Sequence, residues 1–301
     1  MYAIETEGLC KSFRGISAVS NLSIHVPEGS IYGFIGENGS GKSTTEKLVC
    51  GLLVPTAGSV SLYGRSGSDP VARGQMGVLI ENPGCFPWST VYQNLYMQAL
   101  NLGLRDPRSE VLRVLKLVSM QGAAGRRFKE CSLGMKQRLG VAQALLGHPR
   151  LLILDEPING LDADGMRIVR ETLVHLNRQE GVTILISSHI LGELGKMATH
   201  YGIIRGGELI REIDARQMEE ECRSFVFVKT SDDAAAARVL AGAYRELEPR
   251  DGGVRIYDED DTASVASLLF SQGIVVTEIS YQHVGLEEYY LHVMARKEAD
   301  R

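Results

Sequence analysis

The chain has 301 residues and a mass of 32.9 kDa, with 32 Lys and Arg against 37 Asp and Glu for a formal net charge of -5. That length holds a core of more than about 200 residues plus a smaller module. An acidic balance with no block of Lys and Arg argues against a nucleic-acid surface, which needs a basic face to neutralise phosphates. The five cysteines (Cys10, Cys50, Cys85, Cys131, Cys222) are odd in number and widely spaced with no CxxC pair, and so read as small reduced hydrophobes. The opening "MYAIETEGLCKSF" lacks a basic stretch followed by an apolar core, and no apolar run approaches the roughly 20 residues of a spanning helix. A soluble, cytoplasmic chain is expected, with any membrane role exerted through a partner.

In chain order, short apolar runs alternate with helical patterns: "SIYGFIG" (30–36), "MGVLI" (76–80), "LLILD" (151–155), "VTILIS" (182–187) and "YGIIRGG" (201–207). Continuous rather than alternating apolar strands predict a parallel sheet buried on both faces, hence an α/β core. Residues 87–147 read as helix throughout, a helical insertion between the second and third runs. Within it, "CSLGMKQRLGVAQALLG" places Met135, Leu139, Ala142 and Leu146 on one face, with Ser132 as N-cap and Gly147 as the stop. Past about residue 215 the pattern becomes strand, helix, strand, helix, strand and a final helix from 284. The expected domains are therefore 1–215 and 216–301, the second a small α+β module, ferredoxin-like in its element order. Glu287, Glu288, Tyr289 and Tyr290 read as part of a helix with mixed faces or, alternatively, as a dimer or regulatory surface.

The strongest chemical signal is "GENGSGKST", which fits GxxxxGKS between the strand "IYGFI" and the helical "STTEKLVCGLL". Gly36, Gly39 and Gly41 let the backbone wrap so that successive amides face an anion at a helix N-terminus; Lys42 adds a cation, and Ser43 offers a hydroxyl to Mg²⁺. "LLILDEP" supplies the complement at the C-terminal end of a buried strand, where α/β sheets hold ligands. Asp155 would hold Mg²⁺ through water, and Glu156 would polarise the water attacking the terminal phosphoryl group. His189, in "LISSHILGEL", leaves the same edge of the sheet and is suited to reading a phosphate oxygen.

The order of phosphate loop, "SLGMKQR", "LLILDEP", "NGLD" and "SSH" resembles the nucleotide-binding subunit of an ABC transporter, over roughly residues 3–215. The resemblance implies a P-loop NTPase core and ATP contacts from Phe13, stacked on adenine, and from Gly36, Asn38, Gly39, Gly41, Lys42, Ser43 and Thr44. It also implies that ATP is sandwiched between two subunits packed head to tail, so that Ser132 and the amide of Gly134 act in trans. Asn159 to Asp162 would communicate between the two sites, Asp162 near the nucleotide. The signature departs from LSGGQ, with Cys131 for Leu, Leu133 for the first Gly and Met135 for Gln.

In "GVLIENPGCFP", Glu81 stands where the family usually has Gln, in contact with Mg²⁺ and the catalytic water. Two carboxylates about 5 Å apart at an effective dielectric near 20 would repel by roughly 3 kcal/mol. Either the metal or a proton must compensate, and compensation by Mg²⁺ is the expectation, which makes Glu81 a metal-site and catalytic residue beside Ser43, Asp155, Glu156 and His189. Phe86, Pro87 and Trp88 either suit a docking groove on a membrane subunit or cap the helical insertion.

Phrase similarity further resembles the exporters that protect bacteria against bacitracin and lantibiotics. The implied function is an ATPase that powers a separate membrane permease, working as a dimer of identical chains with ATP and Mg²⁺, without nucleic acid, peripheral to the inner face of the cell membrane. A second reading is a non-transport ABC-type ATPase acting on DNA or translation; a third, an unrelated P-loop kinase or GTPase, leaves Ser132 and His189 without a role. The single phosphate loop and the short spacing from Lys42 to Ser132 disfavour the second, whose relatives carry long insertions or two cassettes.

Overall fold

The structure, a computed structural model, describes all residues except 222, 251, 258, 283, 284, 300 and 301. Cys222 and the expected helix start at Val284 therefore lie outside the described residues. The chain divides into two compact units, Met1–Ala215 and Arg216–Arg301. Among the described residues, no helix is long and apolar enough to cross a membrane.

The five apolar runs of the first unit fall into one six-stranded sheet. Its order is Glu208–Asp214, His200–Arg205, Ile31–Ile35, Thr183–Ser188, Leu151–Asp155, Met76–Leu79. Every pair is parallel except the first, an antiparallel hairpin at the edge. The three central strands are buried at every position, which explains why they read as unbroken apolar runs. A separate antiparallel sheet is built from Tyr2–Phe13, Ile16–Leu22, His25–Pro27, Ala57–Leu62 and Arg65–Ser66. Ile4, Leu9, Val26 and Leu62 of this sheet share one core with Tyr32 and Phe34 of the parallel sheet.

Register sets the site. Ile35 lies opposite Ser188, and Asp155 opposite Ser187. The three neighbouring strands thus end together, and Gly36, His189 and Glu156 leave the sheet on one edge, where parallel α/β sheets present ligand-binding loops.

The insertion differs from an unbroken helical stretch. Three helices form, Val91–Asn101, Pro107–Leu117 and Leu133–Ala144. Between the last two the chain makes two single 3₁₀ turns and a bridge from Arg127 back to Thr90. Ser119, just past the second helix, takes a left-handed backbone (φ 52°), which ends that helix whatever the apolar spacing beyond it. The Leu133–Ala144 helix also ends earlier than expected: Leu145 caps it, and Gly147 follows in a left-handed conformation (φ 80°).

The second unit is an antiparallel sheet of order Leu247–Arg250, Gly253–Tyr257, Phe225–Thr230, Val276–Gln282. Helices Asp233–Ala241 and Thr262–Ser271 follow its first and third strands, a βαββαβ arrangement. Val226, Val228, Val254 and Ile256 pack with Leu240, Val265 and Leu269 of the helices. In the helix Leu286–Ala299, Tyr289 is buried while Glu287 and Glu288 are exposed. Of the cysteines, Cys10, Cys50, Cys85 and Cys131 are free thiols, Cys50 and Cys131 buried.

Candidate functional site

The phosphate loop closes because two glycines stand where no side chain fits. At Gly36 a Cβ would meet the Ile204 carbonyl oxygen and Ser40 Oγ at 2.5 Å. Gly41, with φ 107°, is the N-cap of helix Lys42–Val49, and a Cβ there would meet the Ala18 carbonyl oxygen at 2.6 Å. The Lys42 ammonium donates to the carbonyl oxygens of Gly36 (2.6 Å) and Glu37 (3.1 Å), holding the loop as a ring around a buried cation. Free amides and a helix N-terminus beside this cation make an anion cradle.

The loop opens into a cleft of about 410 Å³. Its wall includes Asn38, Gly39, Gly41, Lys42, Ser43, Thr44, Glu81, Asp155 and Glu156, with Asn159 and Gly160 of the NGLD loop, so these residues singled out in the sequence converge on one space, while Gly36 and His189 are not part of its lining. Asp155 is 6% exposed, and its Oδ1 accepts from the Ser187 hydroxyl at 2.8 Å, which fixes the carboxylate beside the loop. Glu156 Oε2 lies 2.8 Å from His189 Nδ1 and 3.4 Å from the His189 amide. An ionised carboxylate only accepts, so this contact assigns the proton on Nδ1 to the imidazole. The Glu156 backbone is tied on both sides: its amide donates to Ser187 Oγ, and its carbonyl accepts from Gln137 Nε2 at 2.9 Å. Glu81 and Glu156 both take left-handed backbone, φ 61° and 49°. Such conformations cost on the order of 1–3 kcal/mol each in a non-glycine residue and persist where the surroundings impose them.

Other predicted residues stand apart from this wall. Ser132 is exposed at the N-cap of its helix, where its hydroxyl accepts from the Met135 amide at 3.2 Å; with Gly134 it is absent from the cleft lining. Leu133, between them, does reach the cleft rim and covers Gly160. Asp162 caps the helix Ala163–Glu180 by accepting from the Gly165 amide at 2.8 Å. Phe13 ends its strand 45% exposed, with Lys11 Nζ 5.2 Å from the ring centroid. Phe86 and Trp88 are exposed, and their loop is stapled by buried Asn94, which accepts from the Phe86 amide and donates to the Phe86 carbonyl.

Three contributors escaped sequence reasoning. Gln137, five positions after Ser132, is the residue that ties the signature helix to Glu156 within the same chain. Glu46 is wholly buried behind the phosphate loop beside Asp155 and the Ser187 hydroxyl, without a well-formed hydrogen bond to either carboxyl oxygen. Burial, reinforced by the charge of Asp155, raises its pKa well above the ordinary carboxylate value. Its signal was a carboxylate at an apolar-face position, three residues before buried Val49. Lys47 pairs with Glu81, Nζ to Oε1 at 2.5 Å, so the carboxylate meets a lysine before any metal. The partners are 34 residues apart, beyond any local pattern.

Comparison with known proteins agrees with this geometry. Residues 19–159 match the family model described as ABC transporter. The chain is 37% identical over 294 residues to the bacitracin transport ATP-binding protein of Enterococcus faecalis, covering 96% of this chain and 95% of that one. The chain belongs to the ABC transporter ATP-binding proteins. This ABC ATPase is also 39% identical over 220 residues to the lantibiotic transport ATP-binding protein of Streptococcus pyogenes, covering 72% of this chain and 94% of the relative. A solved ABC transporter subunit from Clostridium perfringens superposes with a TM-score of 0.65 at 26% identity, over 73% of this chain and 91% of that one. A dimeric ATP-binding cassette solved in a post-hydrolysis state with ADP and Pi shares the fold at TM-score 0.66 and 23% identity, over 71% and 99% of the two chains. The protein is an ATP-binding and ATP-hydrolysing subunit that powers a separate permease; the alternative of a DNA- or translation-directed ATPase is not favoured.

Proposed function

We propose that two identical copies of this ABC ATPase close head to tail on two ATP molecules and drive export of antimicrobial peptides or other amphiphiles by a membrane permease. The observation that carries the reading is the division of the motifs. Phosphate loop, Asp155 and Glu156 share one cleft, with His189 paired to Glu156, whereas the Ser132 hydroxyl and Gly134 stand off its wall and only Leu133 between them reaches the rim. A helix N-terminus with a hydroxyl cap is suited to a terminal phosphate, and a second copy is where it would find one. The substrate class rests on the names of the two transport relatives.

In this reading Lys42 and the loop amides hold the β- and γ-phosphates, and Asn38, Gly39 and Thr44 line the same cradle. Phe13 stacks on adenine at the exposed strand end. Glu156 takes a proton from the attacking water, and His189 orients that carboxylate through Nδ1 while its other ring nitrogen faces the phosphoryl group. Asp162 holds the Asn159–Asp162 loop at the dimer face by capping the next helix. The donor set fits Mg²⁺: a serine hydroxyl and one buried carboxylate are hard oxygen ligands, leaving positions for phosphate and water. Ser43 and Asp155 would hold the ion, with Glu81 at its outer edge; once bound, it would neutralise charge on the phosphates. Association with the inner face of the membrane would come through the permease, for which exposed Phe86 and Trp88 offer a contact.

The test is ATP-dependent dimerisation of Glu156→Gln followed by light scattering. A nucleotide-trapped dimer is expected, and Ser132→Ala in the same background should weaken it. A Glu156→Gln chain that stays monomeric at saturating ATP would defeat the sandwich.

A further inference from the structure

The Lys47–Glu81 pair joins two elements with different tasks. Lys47 sits in the last turn of the phosphate-loop helix, whose first turn carries Lys42 and Ser43. Glu81 follows the edge strand Met76–Leu79, opens the loop that leads through Phe86 and Trp88 to the helical insertion, and lines the nucleotide cleft. Its backbone is left-handed, so its direction is imposed by the surroundings. Both side chains remain partly solvated, Lys47 30% and Glu81 61% exposed, which makes the pair a weak contributor to stability. Its consequence lies in where the negative charge stands.

We propose that Lys47 is a positioning residue for Glu81: it holds the carboxylate at the cleft rim and neutralises it, so that a chain with Glu in this loop binds a triphosphate without placing another free negative charge against it. The inference rests on the reading of the cleft as the nucleotide site with Glu81 at the edge of the metal position. Without the lysine, the carboxylate is released towards Glu156 and the phosphates, and nucleotide binding comes to depend more steeply on a divalent cation. The effect is electrostatic and therefore screened by salt, as a packing effect is not.

The test is a double-mutant cycle read by binding of a fluorescent ATP analogue, once in EDTA and once with excess Mg²⁺. In EDTA and low salt, Lys47→Met should weaken binding about three- to tenfold in the wild-type background but less than about twofold in the Glu81→Gln background, with Lys47→Arg close to wild type. The difference should shrink in excess Mg²⁺ and in high salt. Thermal melting of each variant separates a folding defect from the charge effect. Equal costs of Lys47→Met in both backgrounds, or a cost unchanged by salt, would overturn the inference. A wild-type chain that fails to bind the analogue would instead strike the nucleotide-site reading beneath it.

Discussion

The two units solve the burial problem in opposite ways. In Met1–Ala215, charged and polar groups are taken out of water around the phosphate loop: Lys42, Glu46, Asp155, Ser187 and Ser188 are all buried. In Arg216–Arg301, Thr230 is the one buried polar residue among those described, and the core is Val, Ile, Leu and Ala. A desolvated charge costs several kcal/mol unless it is paired or neutralised. The first unit concentrates buried charged side chains at the edge where three strands end together, whereas among the described residues of the second no charged side chain is buried and the buried polar atoms are groups such as Arg255 Nε and Ser280 Oγ.

The comparison breaks most visibly if exchanging a catalytic oxygen and truncating a core side chain fail to give opposite results. Glu156→Gln keeps a carbonyl oxygen facing His189 but loses the base, so ATP turnover should fall about 10²- to 10⁴-fold with little change in melting temperature. Leu269→Ala should do the reverse. Leu269 is fully buried between helix and sheet in the second unit, and its truncation should destabilise that unit by about 2–5 kcal/mol, read by denaturant unfolding or hydrogen exchange, with turnover within about twofold. A large loss of turnover in Leu269→Ala would show that the module takes part in the chemistry.

How much of this was legible in the sequence depends on the range of each interaction. The phosphate loop, Asp155 and Glu156 were readable because the strand-loop-helix context fixes their places within a few residues. That His189 leaves the same edge of the sheet as Asp155 followed from parallel strands ending together; its contact with Glu156 did not. The antiparallel sheet of the first unit, by contrast, pairs Ile4 with Leu62, a long-range contact with no periodic signature. Lys47 with Glu81 and Gln137 with the Glu156 carbonyl are hidden for the same reason. The helical reading of 87–147 overshot because apolar spacing registers the buried face but not the left-handed breaks at Gly103 and Ser119.

Glu46 offers the finest test of the contrast, because it is a wholly buried carboxyl set beside a second one, Asp155, without a well-formed hydrogen bond of its own. Its pKa is raised in the folded state, so between the ordinary carboxylate pKa of about 4.3 and the folded value the native chain holds a proton that the unfolded chain has released. The native state then binds more protons, and stability falls as pH rises through that window. Below it both states are protonated and the penalty vanishes. Glu46→Met, of similar length and apolar, should therefore be more stable than wild type at pH 8 by on the order of 1 kcal/mol in nucleotide-free chains, with the gain shrinking towards pH 5. Urea unfolding at the two pH values measures it. A gain of equal size at both would mean that methionine merely packs better, and a loss at both would mean that Asp155 depends on the carboxyl behind it.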